Sequence, residues 1–157
     1  MTNKLDKVDL KILKILQENS KITNLELSKK IGLSPAPTLE RVKKLEQTGI
    51  IDSYHAKVNP ATIGLNVHTF VLVNLLWKKE NALENFIKKI QDIDEIVECF
   101  IITGESDLIL KVITKDLRSY EKLLFKRLSQ IEEAEHVRTL MTLSQVKTSQ
   151  TLPFDYD

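Results

Sequence analysis

The stretch ITNLELSKKIGLSPAPTLERVKKLEQTG, Ile22 to Gly49, holds two helix starts with one glycine stop between them, and that punctuation constrains the fold more than any other feature of the chain. Thr23 and Glu26 have the spacing of a capping box, in which hydroxyl and carboxylate each satisfy a backbone N–H that a helix start leaves unpaired. A helix is therefore expected from Asn24, with Leu25 and Ile31 turned inward and a stop at Gly32, the residue type that enters the left-handed conformation at least cost. Ser34 then caps a second helix whose first position is Pro35, where the missing N–H costs nothing and the ring presets φ. Pro37 removes the amide that a cap serine commonly bonds, so the Ala36 amide is the expected partner of the Ser34 hydroxyl.

In the second helix Leu39, Val42 and Leu45 recur as an apolar stripe, which puts Pro37, Glu40, Arg41 and Lys44 on the opposite side. Two helices joined by so short a turn cross steeply, and the second projects its N-terminal end and outer face from the domain. That is the geometry with which a helix-turn-helix enters the major groove of DNA. On this reading Ala36, Pro37, Thr38, Glu40, Arg41 and Lys44 face the groove. Arg41 is placed for a base edge, Ser34 for a phosphate, and Lys43 with Lys44 for neutralising phosphates. A plain helical hairpin with a solvated basic face is the competing reading; it leaves the coincidence of capping box, glycine stop and Ser-Pro start unexplained.

Composition narrows the class. With 42% hydrophobic and 29% charged residues in 157, the chain has the balance of a water-soluble globular protein of one or two small domains. There is no long uncharged apolar run, and the start MTNKLDKVDL lacks the apolar core of a signal peptide, so a cytoplasmic protein without a membrane span is expected. The net charge of +1 is unevenly spread: up to Ile50, ten lysine and arginine residues against six carboxylates leave +4, and the remainder carries −3. A basic head beside an acidic remainder suits one domain that meets phosphates and another that meets protein or small ligands. The single Cys99 excludes an internal disulfide and, lying in an apolar run, reads as a buried inert thiol.

Taken in order, Asp6 precedes a helical pattern in which Leu5, Val8, Ile12, Ile15 and Leu16 share one face, a first helix that completes a three-helix head. Ile50 to Val58 alternates enough to predict a strand before Asn59-Pro60 breaks it. Val67 to Trp77 is apolar on both faces, as in a strand with helices behind it and another sheet or subunit in front. Leu83, Phe86, Ile87 and Ile90 mark a helix, Val97–Thr103 and Leu108–Thr114 two strands, and Asp116 caps a helix carrying Leu117, Tyr120, Leu124 and Leu128. A last strand falls within His136–Lys147. The whole is an α+β chain, a winged helix-turn-helix followed by a ferredoxin-like βαββαβ antiparallel sheet with both helices on one face. An identical sheet is the economical cover for the other face, so at least a dimer is expected. The parts run 1–50 (head), 51–66 (linker), 67–148 (sheet domain) and 149–157 (irregular tail).

No catalytic constellation, metal-ligand spacing or glycine-rich phosphate loop is present; His55, His68 and His136 stand apart from one another, so neither an enzyme nor a cofactor or metal site is expected. One turn is chemically suggestive: Thr103, Gly104, Glu105, Ser106 and Asp107. A hairpin turn in which glycine takes positive φ and Asp or Ser bonds nearby backbone accounts for it without a ligand. A carboxylate that receives an ammonium, beside amides that receive a carboxylate, is the alternative.

The residues LSPAPTLERVKKLEQTGII resemble the recognition helix of the Lrp/AsnC (feast/famine) transcription regulators, LDKVDLKILKILQEN is similar to that family's first helix, and YHAKVNPATIGL and TGESDLILKV resemble its linker and second-domain turn. The likeness runs through nearly the whole chain. It implies a sequence-specific, nucleoid-associated DNA-binding regulator whose linker pairs with its counterpart in a second subunit and whose dimers assemble into a ring of four, an octamer. It also implies a small amino-acid effector held between dimers, with Gly104 and Asp107 matching the family's Gly-x-x-Asp motif. An architectural, chromatin-organising protein that binds DNA without an effector is the alternative, and the ratio of specific to random DNA binding separates the two.

Overall fold

The computed structural model describes residues 5–149 and 151–154. These divide into two compact units: the residues up to Lys57 together with those from Val146 onward, and Val58–Gln145.

The first unit is a three-helix head. Helix α1 (Lys7–Glu18) begins with Asp6 and Asp9 capping each other's amides, α2 (Asn24–Ile31) with the Thr23–Glu26 capping box, and α3 (Pro35–Gln47) with Pro35 at its first position. Gly32, at φ 77°, ends α2, and the amides of Gly32 and Leu33 both donate to the Ser28 carbonyl at 3.0 Å. Ile12, Leu27, Ile31 and Leu45 are the buried centre, with Val8, Leu16, Val42 and Ile51 packed around them.

Two inward assignments made on hydropathy change. Leu25 is 54% exposed, and α2 buries Leu27, Ser28 and Ile31. Leu25 and Ile31 are six residues apart, about 240° around a helix, and cannot share a face, whereas Leu27 and Ile31 are one turn apart. In α3 the same six-residue step separates Leu39 from Leu45; Leu39 is 42% exposed, and the fully buried residue is Thr38, seven before Leu45. Burial of Thr38 is tolerated because its hydroxyl donates to the Ser34 carbonyl at 2.9 Å. The expected strand at Ile50–Val58 does not form, because the segment has no neighbouring strand from which to draw a ladder. Of the expected tail, 149 and 151–154 are described and form no helix or strand, the rest lying outside the described residues; the Leu152 amide donates to Gln17 Oε1 at 2.6 Å.

In the second unit β1 (Val67–Leu75), α4 (Ala82–Gln91), β2 (Ile96–Ile101), β3 (Leu108–Thr114), α5 (Leu117–Lys126) and β4 (Ala134–Met141) follow in the expected order. The sheet is antiparallel throughout, in the order β2-β3-β1-β4, with Val71 opposite Leu110 and Val73 opposite Leu108. Those four residues share one face with Leu75 and Val112, and Phe86 and Ile90 of α4 and Tyr120 and Leu123 of α5 pack on it. Leu117, expected inside, is exposed, and Leu128 is buried from the short 3-10 turn after α5.

The other face, carrying Phe70, Phe100 and Leu140 by strand alternation, is open, and these three side chains are 38%, 53% and 45% exposed. Cys99 is exposed rather than buried, because β2 is an edge strand; partial desolvation nonetheless pushes its thiol pKa up. No helix among the described residues is long and apolar enough to cross a membrane.

Candidate functional site

The outer face of α3 is built from its N-terminus. Ser34 sits at the cap in extended conformation, but its side chain makes no cap bond, so the expected Ser34–Ala36 contact is absent. Proline at the third helical position removes one of the two amides such a hydroxyl would seek. Asn24 Nδ2 donates to the Pro35 carbonyl at 2.8 Å and so ties the start of α2 to the start of α3, a link that hydropathy does not reveal. Ala36, Pro37, Glu40, Lys43 and Lys44 are all exposed. They recur at three- and four-residue steps and so form one face.

Two residues expected on that face lie elsewhere. Thr38 is inside the head, as described. Arg41 is half-buried on the inner flank of α3, where its Nη1 donates to Asp6 Oδ2 and to Asp9 Oδ1, each at 2.7 Å. The bonds to Asp6 and Asp9 raise the guanidinium pKa, and the Asp9 amide, followed by Arg41, holds the Asp6 carboxyl below its ordinary value. The signal in the sequence was the spacing of Thr38, Arg41 and Leu45, which places arginine between two core positions. At the other end of α3, the Tyr54 hydroxyl donates to Glu46 Oε1 at 2.9 Å, and desolvation with that bond pushes the phenol up to about 12.

The second site is the turn between β2 and β3. Gly104 has φ 122°, a conformation L side chains rarely adopt, and a Cβ there would meet nothing within 4 Å, so the requirement is of the backbone alone. The turn closes through the Ile102 amide donating to the Asp107 carbonyl at 2.8 Å. Thr103, Gly104 and Glu105 are exposed, whereas Ser106 is buried and Asp107 half-buried. Ser106 donates its hydroxyl to Asn74 Oδ1 at 3.2 Å, while Asn74 Nδ2 donates to the Glu105 carbonyl at 2.7 Å. Asp107 Oδ2 accepts the Leu75 amide at 2.7 Å. Asn74 thus braces the turn from the next strand; the one clue to it was a carboxamide inside the apolar run VLVNLLW. Among the described residues no group of three or more His, Cys, Asp or Glu side chains is placed to hold a metal ion.

Comparison with known proteins follows this division of the chain. A winged helix-turn-helix DNA-binding family matches residues 5–52, and the Lrp/AsnC ligand binding domain family matches residues 68–152. The leucine-responsive regulatory protein of Haemophilus influenzae is 40% identical over 148 residues, 94% of this chain and 89% of that protein. That of Escherichia coli strain K12 is 38% identical over 148 residues, 94% of this chain and 90% of its own length. Among solved structures, a Neisseria meningitidis transcriptional regulator in complex with L-methionine superimposes with a TM-score of 0.93 at 34% identity, covering 96% of this chain and 97% of that one.

Proposed function

The chain belongs to the Lrp/AsnC family of transcription regulators, and on that premise we propose that the outer face of α3 makes its sequence-specific contacts with double-stranded DNA, under the control of a small amino acid held at the turn from Thr103 to Asp107. Ser34, Ala36, Pro37, Glu40, Lys43 and Lys44 are the contacting residues, with the two lysines on phosphates. The carrying observation is that five of these side chains stand exposed along one side of a helix whose other side is fixed in a core. Residues 1–50 then read DNA, 51–66 connect, 67–148 sense and associate, and 149–157 form a tail. Phe70, Phe100 and Leu140 support association through the open sheet face, first as a dimer and then as four dimers in an octamer. Such an assembly works on cytoplasmic, nucleoid DNA.

The effector reading draws on the L-methionine complex of the meningococcal relative and on the exposed Gly104 turn. The test is anisotropy with a duplex that the protein itself enriches from a random pool, measured across a salt series with and without each amino acid. Replacing Lys43 and Lys44 by alanine is expected to lower the slope of log affinity against log salt by about two, and one amino acid is expected to shift the affinity. An unchanged slope overturns the lysine assignment. Failure to enrich any sequence favours the architectural alternative.

A further inference from the structure

The geometry points to Arg41 as a positioning residue that sets how α3 is presented to DNA by anchoring it to the first turn of α1, without touching DNA itself. This rests on the reading of α3 as the DNA-contacting helix. Arg41 follows fully buried Thr38 by three residues and precedes buried Leu45 by four, so its side chain leaves α3 on the flank that faces the head's own helices. There it meets two carboxylates at once. Asp6 and Asp9 are already joined, since the Asp9 amide donates to Asp6 Oδ1 at 2.8 Å and the Asp6 amide to Asp9 Oδ2 at 3.3 Å. Arg41 adds one bond to each acid, which makes α1's start and α3's middle a single cluster.

The cluster holds one cation and two anions, and the Asp9 side chain is only 14% exposed. A DNA phosphate approaching Arg41 would compete with two carboxylates already in place and would be repelled by the net negative charge. Holding α3 from this side fixes the rotation and tilt at which Ala36, Pro37, Glu40, Lys43 and Lys44 are offered, because the cap and core contacts leave the helix's middle otherwise pinned by apolar packing alone.

This assignment makes a prediction opposite in sign to plain electrostatics. Removing two negative charges from a DNA-binding head strengthens attachment to any DNA if charge is all that matters. If the cluster sets the pose of α3, removing them weakens recognition of the preferred sequence. Asparagine is the replacement of choice, since it remains a good helix cap.

The experiment compares the full-length protein with Arg41→Gln, Arg41→Lys and Asp6→Asn/Asp9→Asn on a duplex enriched by the wild type from a random pool and on a scrambled duplex, over a salt series, with circular dichroism and thermal melting to normalise for folded protein. The double asparagine variant and Arg41→Gln are each expected to lose about tenfold on the enriched duplex, to lose little or nothing on the scrambled one, and to keep the wild-type salt slope. Combining them should cost no more than either alone. The proposal is overturned if Arg41→Gln lowers the slope by about one while the asparagine variant binds as tightly as wild type or more tightly, which makes Arg41 a direct contact. It is overturned equally if neither loses affinity, or if Arg41→Lys binds as wild type while the asparagine variant does too. Should the double variant not fold, Asp6→Asn alone carries the same comparison. Failure of the underlying reading looks different: no sequence is enriched, or Lys43 and Lys44 can be replaced by alanine with no change in slope.

Discussion

The carboxylate of Asp107 accepts the main-chain amide of Leu75 at 2.7 Å. The register between β1 and β4 shifts between Asn74 and Leu75. On the other side of β1 the ladder with β3 ends at the Val73–Leu108 pair, so the Leu75 amide lies beyond it and the Asp107 carboxylate supplies its acceptor. Asp107 therefore already serves the fold, and its own amide returns to the neighbouring strand by donating to the Val73 carbonyl at 3.0 Å.

Asp107→Ala should destabilise the protein by about 1–3 kcal/mol, the cost of leaving a largely buried amide unpaired. Asp107→Asn keeps an acceptor oxygen and should cost less than about 1 kcal/mol. Urea unfolding of the two variants decides; equal losses would show that the Leu75 contact contributes nothing. The asparagine variant is also the cleaner probe of ligand charge, because it leaves the turn standing.

Thr38→Val should change stability by no more than about 1 kcal/mol, since the Ser34 carbonyl that loses the hydroxyl keeps the Thr38 amide as a donor. DNA affinity should stay within about twofold of wild type, because a fully buried side chain makes no groove contact. A large, sequence-dependent loss of affinity without a loss of stability would put Thr38 back on the outer face.

Tyr54 should ionise at about 12 rather than at the usual value near 10. A folded-state pKa raised above the unfolded one means that the protonated phenol is favoured by folding, so its contribution is fully present below pH ~10 and disappears as the pH rises through the folded value. Difference absorbance of tyrosinate between wild type and Tyr54→Phe isolates the step. A midpoint near 10 would mean that neither the desolvation of the phenol nor the Glu46 hydrogen bond holds in solution.

Phe70→Glu on the open sheet face should shift the protein toward monomer in sedimentation, because a carboxylate buried against a second apolar face lacks a partner. Leu117→Glu, at a more exposed position on α5 that is not part of that face, is the control and should leave the distribution unchanged.

What could be read from residues alone followed from local rules. The caps at Thr23 and Asp116 and the stop at Gly32 depend on a few neighbouring atoms, and all stand where spacing put them. The βαββαβ order followed from changes of period in the same way. What escaped required knowing what lies across space. Thr38 is polar by type yet core by position, and only its bond to a carbonyl one turn back makes that acceptable. Arg41 is a cation whose partners lie 35 and 32 residues earlier. Ile50–Val58 has the alternation of a strand, but alternation describes faces and not a partner, and among the described residues no strand pairs with it. Asn74 and Asp107 bond groups 31 and 32 residues away, the Glu105 carbonyl and the Leu75 amide, a separation that no short-range pattern encodes.

The helix α3 is split lengthwise. One side, with Thr38, Arg41, Val42 and Leu45, answers to the head; the other, with Ala36, Pro37, Glu40, Lys43 and Lys44, is exposed and contributes nothing to the buried centre. Substitutions on surfaces that share no partners act nearly independently. If α3 reads DNA as proposed, the outer five positions are a panel that can be rewritten, by drift or by design, to address new base sequences at little cost in stability beyond helix propensity, provided the inner four are left untouched. For anyone retargeting this regulator, a library confined to those five codons is the economical search, and clones that fold but misread DNA are its expected failures rather than clones that do not fold.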